Sequence, residues 1–131
     1  MSKIEYLAIP YSDKDKNVMD FRAAVSDYIF AKLSNEGHIV YAPISSCHGI
    51  AKKYGLPKTF EFWEKVCLEF VSLANKLIVI RLLGWENSVG LTAELKLAQI
   101  LGIEIEYLDP MPYIMDDKEL MNWYLRLEEN L

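Results

Sequence analysis

Cysteine is scarce in this chain: Cys47 and Cys67 are all it has among 131 residues. They match neither a disulfide framework nor the paired spacing of a metal site, and the adjacent pair Cys47-His48 does not make one either. Long apolar runs are missing too. No stretch approaches the roughly 20 residues that cross a bilayer as a helix. The opening MSKIEYLAIPYSD lacks a basic segment followed by a long apolar region, so a signal peptide is not expected and a reducing cytoplasm is the simplest compartment. Basic charge is in deficit. A net charge of −5 argues against a nucleic-acid polymer or an anionic membrane surface as partner. Internal repeats, low-complexity tracts and linkers are also lacking.

What is present is apolar and regularly patterned. Hydrophobic residues make up 52% and charged residues 25%, the balance of a globular chain. The length suits one domain, 1–131, with a substantial core. Ile4–Ile9 reads as a strand stopped by Pro10, and Asn17–Leu33 as an amphipathic helix ending before Gly37, the expected left-handed residue. His38–Ala42 is the second strand, closed by Pro43, and Ile44–Pro57 reads as a long, functional loop. Thr59–Ala74 is a helix with Phe62, Val66, Phe70 and Leu73 along one side. Lys76–Leu82 is the third strand, Leu91–Leu101 a helix and Ile103–Tyr107 the fourth strand. Asp109-Pro110-Met111-Pro112 then breaks the chain before a last helix, Met115–Glu129, that packs on the sheet or on a second subunit. Apolar strands alternating with amphipathic helices predict a flavodoxin-like or Rossmann-like three-layer sandwich. The expected sheet is mainly parallel, four- or five-stranded, in the order 2-1-3-4.

One block carries most of the chemistry: Gly84-Trp85-Glu86-Asn87-Ser88-Val89-Gly90-Leu91-Thr92-Ala93-Glu94-Leu95. Lying between the third strand and the next helix, it sets Ser88, Gly90 and Glu94 at the carboxyl edge of the sheet, where open α/β folds bind ligands. A hydroxyl and N–H groups at a helix start suit phosphate, and a carboxylate one turn on could act on what the phosphate carries. Plainer roles exist for each: a turn or cap for Ser88, a dipole-favoured acid for Glu94, a core side chain or a pocket lid for Trp85. Tyr6 and Tyr11 stand near the carboxyl end of the first strand. Tyr11 is the better candidate to orient a carboxylate or sugar, while Tyr6 more often belongs to a core. His38 reads as structural; His48, in Ser45-Ser46-Cys47-His48-Gly49, is placed to meet a base or phosphate. Lys52-Lys53 reads as a solvated pair.

Tyr6-Leu7-Ala8-Ile9-Pro10-Tyr11-Ser12, Gly37-His38-Ile39-Val40-Tyr41-Ala42-Pro43-Ile44, Phe62-Trp63, the Gly84–Gly90 block, Ala93-Glu94 and Leu101-Gly102-Ile103 occur in an order that resembles short bacterial and phage proteins. Those proteins belong to the nucleoside 2-deoxyribosyltransferase-like superfamily, which includes deoxynucleoside 5′-monophosphate N-glycosidases. The resemblance spans about residues 4 to 110. It implies that Glu94 is a nucleophile toward the anomeric carbon of a 2-deoxyribosyl group, and that Ser88 and neighbouring N–H groups hold a 5′-phosphate. Transferases acting on free nucleosides tend to carry an aspartate at that serine. From their places in the chain, Tyr11 is taken as a catalytic partner, with Tyr6, Ser12, His48, Trp85 and Gly90 as binding residues. A nucleotide or nucleoside ligand, neither metal nor organic cofactor, and a homo-oligomer whose pocket a neighbouring subunit completes follow from the resemblance. One position departs from the pattern. Where relatives carry an aspartate in the helix before the third strand, this chain has Cys67, or Leu68 if the alignment slips by one, with Glu64 one turn before Cys67 as the carboxylate that would substitute. A thiol of ordinary pKa, about 8.5, is a poor general acid for this task. The alternative is therefore an inactive nucleotide-binding module that senses or sequesters its ligand.

Overall fold

In the computed structural model, which describes residues 3–129, four short strands are separated by helices. They are β1 (Ile4–Ala8), β2 (Ile39–Tyr41), β3 (Lys76–Ile80) and β4 (Glu104–Leu108). All pairings are parallel and the order is β2-β1-β3-β4, the expected topology with four strands. The helices are α1 (Lys16–Asn35), α2 (Pro43–Tyr54), α3 (Phe60–Leu73), α4 (Val89–Leu101), α5 (Met111–Asp116) and α6 (Lys118–Glu129). A short 3-10 turn, Trp85–Asn87, precedes α4.

The period-two alternation of a strand sorts the core into two halves. Leu7, Ile9, Ile78 and Ile80 face α1, packing with Phe21, Val25, Ile29, Leu33, Ile114 and Leu120. Tyr6, Ala8, Leu77 and Val79 face the other way, toward Val71 of α3 and Leu91 and Ala98 of α4. Helix layers on both faces make a flavodoxin-like or Rossmann-like three-layer sandwich.

Three local readings need correction. Ile44–Pro57 is mostly helix: Pro43 sits at its first turn, Lys52 and Lys53 fill its last, and Gly55 ends it at φ +69. Proline inside the start and glycine past the end are helix signals, overridden in the reading by the poor formers Ser45, Ser46 and Gly49. The stripe Phe62, Val66, Phe70 and Leu73 of α3 faces outward, with exposures of 50, 41, 41 and 67%. The apolar side of α3 is broad, about half of the helix, so periodicity alone does not choose which edge of it is buried; Cys67 and Val71 are the buried residues. Finally, Asp109-Pro110 starts a helix rather than separating one, Asp109 Oδ1 accepting from Met111 N at 3.0 Å. The C-terminal segment packs on α1 of its own chain: Phe21 meets Trp123 at 5.6 Å and Tyr124 at 6.3 Å between ring centroids.

Candidate functional site

Strands β1 and β3 lie side by side, yet the chain leaves β1 toward β2 and leaves β3 toward β4. Such a switch point opens a crevice outside the carboxyl ends of the strands. A cavity of about 360 Å³ lies there. Its walls are the segment after β1 (Ile9, Tyr11, Ser12), α2 (Ile44, Cys47, His48, Ala51), the start of α3 (Phe60, Trp63, Cys67) and the start of α4 (Ser88 to Leu91 and Glu94). The size is that of a small-molecule site.

Glu94 lies within the wall, 4% exposed, and Tyr6 O–H donates to its Oε2. Burial pushes this carboxyl up to about 8, although the Tyr6 bond pulls the other way. Burial, then the neighbouring Glu94, drives the Tyr6 phenol far above its ordinary range. Cys67, seven residues after Phe60 and four after Trp63 on one face of α3, also lines the cavity. Its thiol is pushed up to about 11 by burial and by Glu94. Of the three residues considered for that position, Cys67 lines the cavity, whereas Leu68 and the exposed Glu64 do not. The tyrosine that bonds the Glu94 carboxylate is Tyr6 and not Tyr11. Tyr6 is fully buried beneath Glu94 and does not reach the cavity, whereas Tyr11 does.

At the other end of the same helix, Ser88 is the N-cap of α4, its Oγ accepting from Leu91 N at 3.2 Å. An accepting Oγ keeps its own hydrogen to donate. The first N–H groups of a helix have no intrahelical acceptor, so those of Val89 and Gly90 point beyond the helix end, where an anion is favoured. Gly90 is needed for packing as well: a Cβ there would lie 2.8 Å from Phe60 Cδ1. Lys58 also lines the cavity. Ser12 lines the cavity too, but its hydroxyl donates to the Lys58 carbonyl at 2.9 Å.

Opposite Glu94, Tyr11 and His48 meet through Tyr11 Oη and His48 Nδ1, with ring centroids 5.4 Å apart and planes at 84°. His48 Nε2 lies 2.9 Å from Asp20 Oδ1, and Lys52 Nζ bonds the same carboxylate at 3.1 and 3.0 Å. Burial would raise Asp20, but Lys52 and His48 hold it below the ordinary carboxylate value. Lys52 is exposed, as the solvated reading had it, and is also an ion-pair partner of Asp20. Arg22 of α1 donates to the carbonyls of Tyr11, Ser12 and Leu83 at 3.2 to 3.3 Å, tying the exits of β1 and β3 together.

Trp85 is not a lid. It packs outside the cavity, 6.0 Å from the Tyr107 ring, with the Arg81 guanidinium 5.8 Å from its own ring centroid and 4.4 Å from that of Tyr107. His38 is structural as expected, pairing with Glu5 Oε2 at 2.7 Å at the amino end of the sheet. Among the described residues, no group of three or more His, Cys, Asp or Glu is placed to hold a metal ion, and no helix is long and apolar enough to cross a membrane. Sequence reading missed Asp20, Arg22, Lys58 and Phe60. Only the polar Asp20 and Arg22, flanking Phe21 in an otherwise apolar stretch of helix, gave a local hint.

Fold and site together define a Rossmann-like α/β domain with a buried carboxylate at the sheet's switch point. The chain belongs to the family described as Domain of unknown function (DUF1937), whose profile matches residues 3–108, which include all four strands and every residue of the cavity wall. No curated protein matches the chain.

Proposed function

We propose that the cavity binds a 2-deoxynucleoside 5′-monophosphate and cleaves or transfers at its N-glycosidic bond. The observation that carries this reading is a single helix with a phosphate-suited start and a buried carboxylate six residues on. Six residues advance about 9 Å along a helix axis, the order of span a sugar and its phosphate need. The likeness of the Ser88-to-Glu94 block to the nucleoside 2-deoxyribosyltransferase-like superfamily supports the same assignment, and the apolar wall of Ile44, Phe60 and Trp63 suits a flat base.

With Oε2 held by Tyr6, Glu94 Oε1 attacks the anomeric carbon. The bond to the base breaks, its electron pair leaves with the base nitrogen, and an ester joins Glu94 to the sugar. Water, or a second base, then attacks the same carbon and frees the carboxylate. Two easier steps replace one difficult step. A 2-deoxy sugar lacks the electron-withdrawing 2′-hydroxyl, so positive charge develops at the anomeric carbon more readily. A second copy of the chain against the outward face of α3 would cover the exposed Phe62, Val66, Phe70 and Leu73; a homo-oligomer is part of the proposal.

The second reading, a nucleotide binder without turnover, is favoured by one observation, the thiol at Cys67. Incubation with a panel of deoxynucleoside monophosphates and their nucleosides, followed by chromatography for free base, separates the two. Release is expected from a monophosphate in preference to its nucleoside. Tight binding with no release from any member would establish the binder instead.

A further inference from the structure

Departure of the base leaves an electron pair on its nitrogen, and that pair needs a proton. Cys67, raised by burial and by Glu94, has a carboxylate beside it, which disfavours the thiolate that giving up a proton would leave, whereas Tyr11 has an imidazole behind it to replace the proton it gives. Glu94 is occupied as nucleophile, and Cys47, on the cavity wall, is also raised by burial. Asp20, His48 and Tyr11, which come from α1, α2 and the segment after β1, form a line that ends at the cavity.

We propose that Asp20, His48 and Tyr11 are a proton relay that protonates the departing base and later takes the proton of the attacking water. The proposal rests on the N-glycosidic reading of the same cavity. Its geometry fixes the order of parts. The Asp20 carboxylate, itself anchored by Lys52, accepts from His48 Nε2–H and so sets the tautomer. In neutral His48, Nδ1 is then an acceptor, and the Tyr11 hydroxyl donates to it. In protonated His48, Nδ1–H donates to the Tyr11 oxygen, which frees the phenol hydrogen to face the cavity. The arrangement follows the logic of a Ser-His-Asp triad, with a phenol that conducts a proton in place of a hydroxyl that attacks. Burial, with Asp20 and Cys47 nearby, pushes the Tyr11 phenol up to about 12, so it stays protonated at rest.

The steps balance. As the bond from the anomeric carbon to nitrogen breaks, Tyr11 gives its proton to the base and takes one from His48 Nδ1; the imidazolium becomes neutral. In hydrolysis, water attacks the sugar ester, its proton passes to Tyr11, and the Tyr11 proton passes to His48. Glu94 leaves as carboxylate and the imidazolium is restored. Tyr11 is the catalytic residue of the relay, since it meets the substrate; Asp20 is a positioning residue.

The test compares two leaving groups under single-turnover conditions, with enzyme in excess so that only bond cleavage is read. One substrate is whichever deoxynucleoside monophosphate is cleaved best. The other is para-nitrophenyl 2-deoxyriboside 5-phosphate, whose phenolate departs without a proton. Tyr11→Phe is expected to slow base release by about a hundredfold or more and to leave nitrophenolate release within a few-fold of wild type. Asp20→Asn should show the same split, more weakly. Retained nitrophenolate release also shows that each variant is folded. Equal losses on both substrates, or no loss on the nucleotide, would overturn the relay while the N-glycosidic reading stands. Wild-type enzyme that cleaves neither substrate would overturn both.

Discussion

Glu94 and Tyr6 stand 88 positions apart in sequence and meet beneath the cavity through one hydrogen bond. Two opposing effects set the charge of the carboxyl. Burial favours the neutral acid, the Tyr6 donor favours the anion, and burial wins, leaving the group near 8. A nucleophile must be ionised, so the ascending limb of kcat/KM for base release is expected near 8, well above the ordinary carboxylate range; the relay, which starts with His48 protonated, adds a descending limb. Tyr6→Phe removes the only named effect that lowers the value. The ascending limb should therefore move to higher pH, with a fall in rate at neutral pH. A pH–rate profile checks both points. A limb at ordinary carboxylate pH, or one that Tyr6→Phe leaves in place, would contradict this role for the pair. None of this could be read from the chain alone, because Tyr6 looks like any apolar strand residue until α4 is laid over it.

At the scale of elements, α4 has one residue doing two jobs. Ser88 caps the helix by accepting from Leu91 N, and its hydrogen remains for a phosphate. Ser88→Ala should cost about 1 kcal/mol of stability through the lost cap, and a further 1.5–3 kcal/mol or so of nucleotide binding through the lost contact to a charged group. Ser88→Asp separates the two jobs. Aspartate caps as well as serine, so thermal stability should hold, while its charge repels phosphate. Calorimetric titration should show weakened nucleotide binding and nearly unchanged nucleoside binding. Equal losses for both ligands would put the phosphate elsewhere. This half of the site was legible because Ser88, Gly90 and Glu94 are close in sequence and one helix phase relates them. The half made by Asp20, His48 and Tyr11 was not, since three elements must fold together first, and α2 was hidden by serines and a glycine.

For the whole molecule, strand order and the position of the cavity follow from alternation: apolar runs of period two between helices leave few parallel topologies open. What alternation does not decide is which edge of a broad apolar helix side faces in. Helix α3 turns Phe60, Trp63, Cys67 and Val71 inward and leaves Phe62, Val66, Phe70 and Leu73 exposed, while α6 is already packed on α1. The proposed homo-oligomer is therefore expected through α3 and not through the C-terminal helix. Light scattering at micromolar concentration should give a multimer mass for wild type and a monomer mass for Phe62→Lys combined with Leu73→Lys. A wild-type monomer would rule this assembly out.

Central to all three scales is a covalent bond between Glu94 and the sugar. Mass spectrometry of a reaction quenched during turnover reads it directly. The expected result is a peptide containing Glu94 that carries an added 2-deoxyribosyl 5-phosphate, present in wild type and missing in Glu94→Gln, which also releases no base. Base release that continues undiminished in Glu94→Gln, with no adduct on the wild-type peptide, would contradict it.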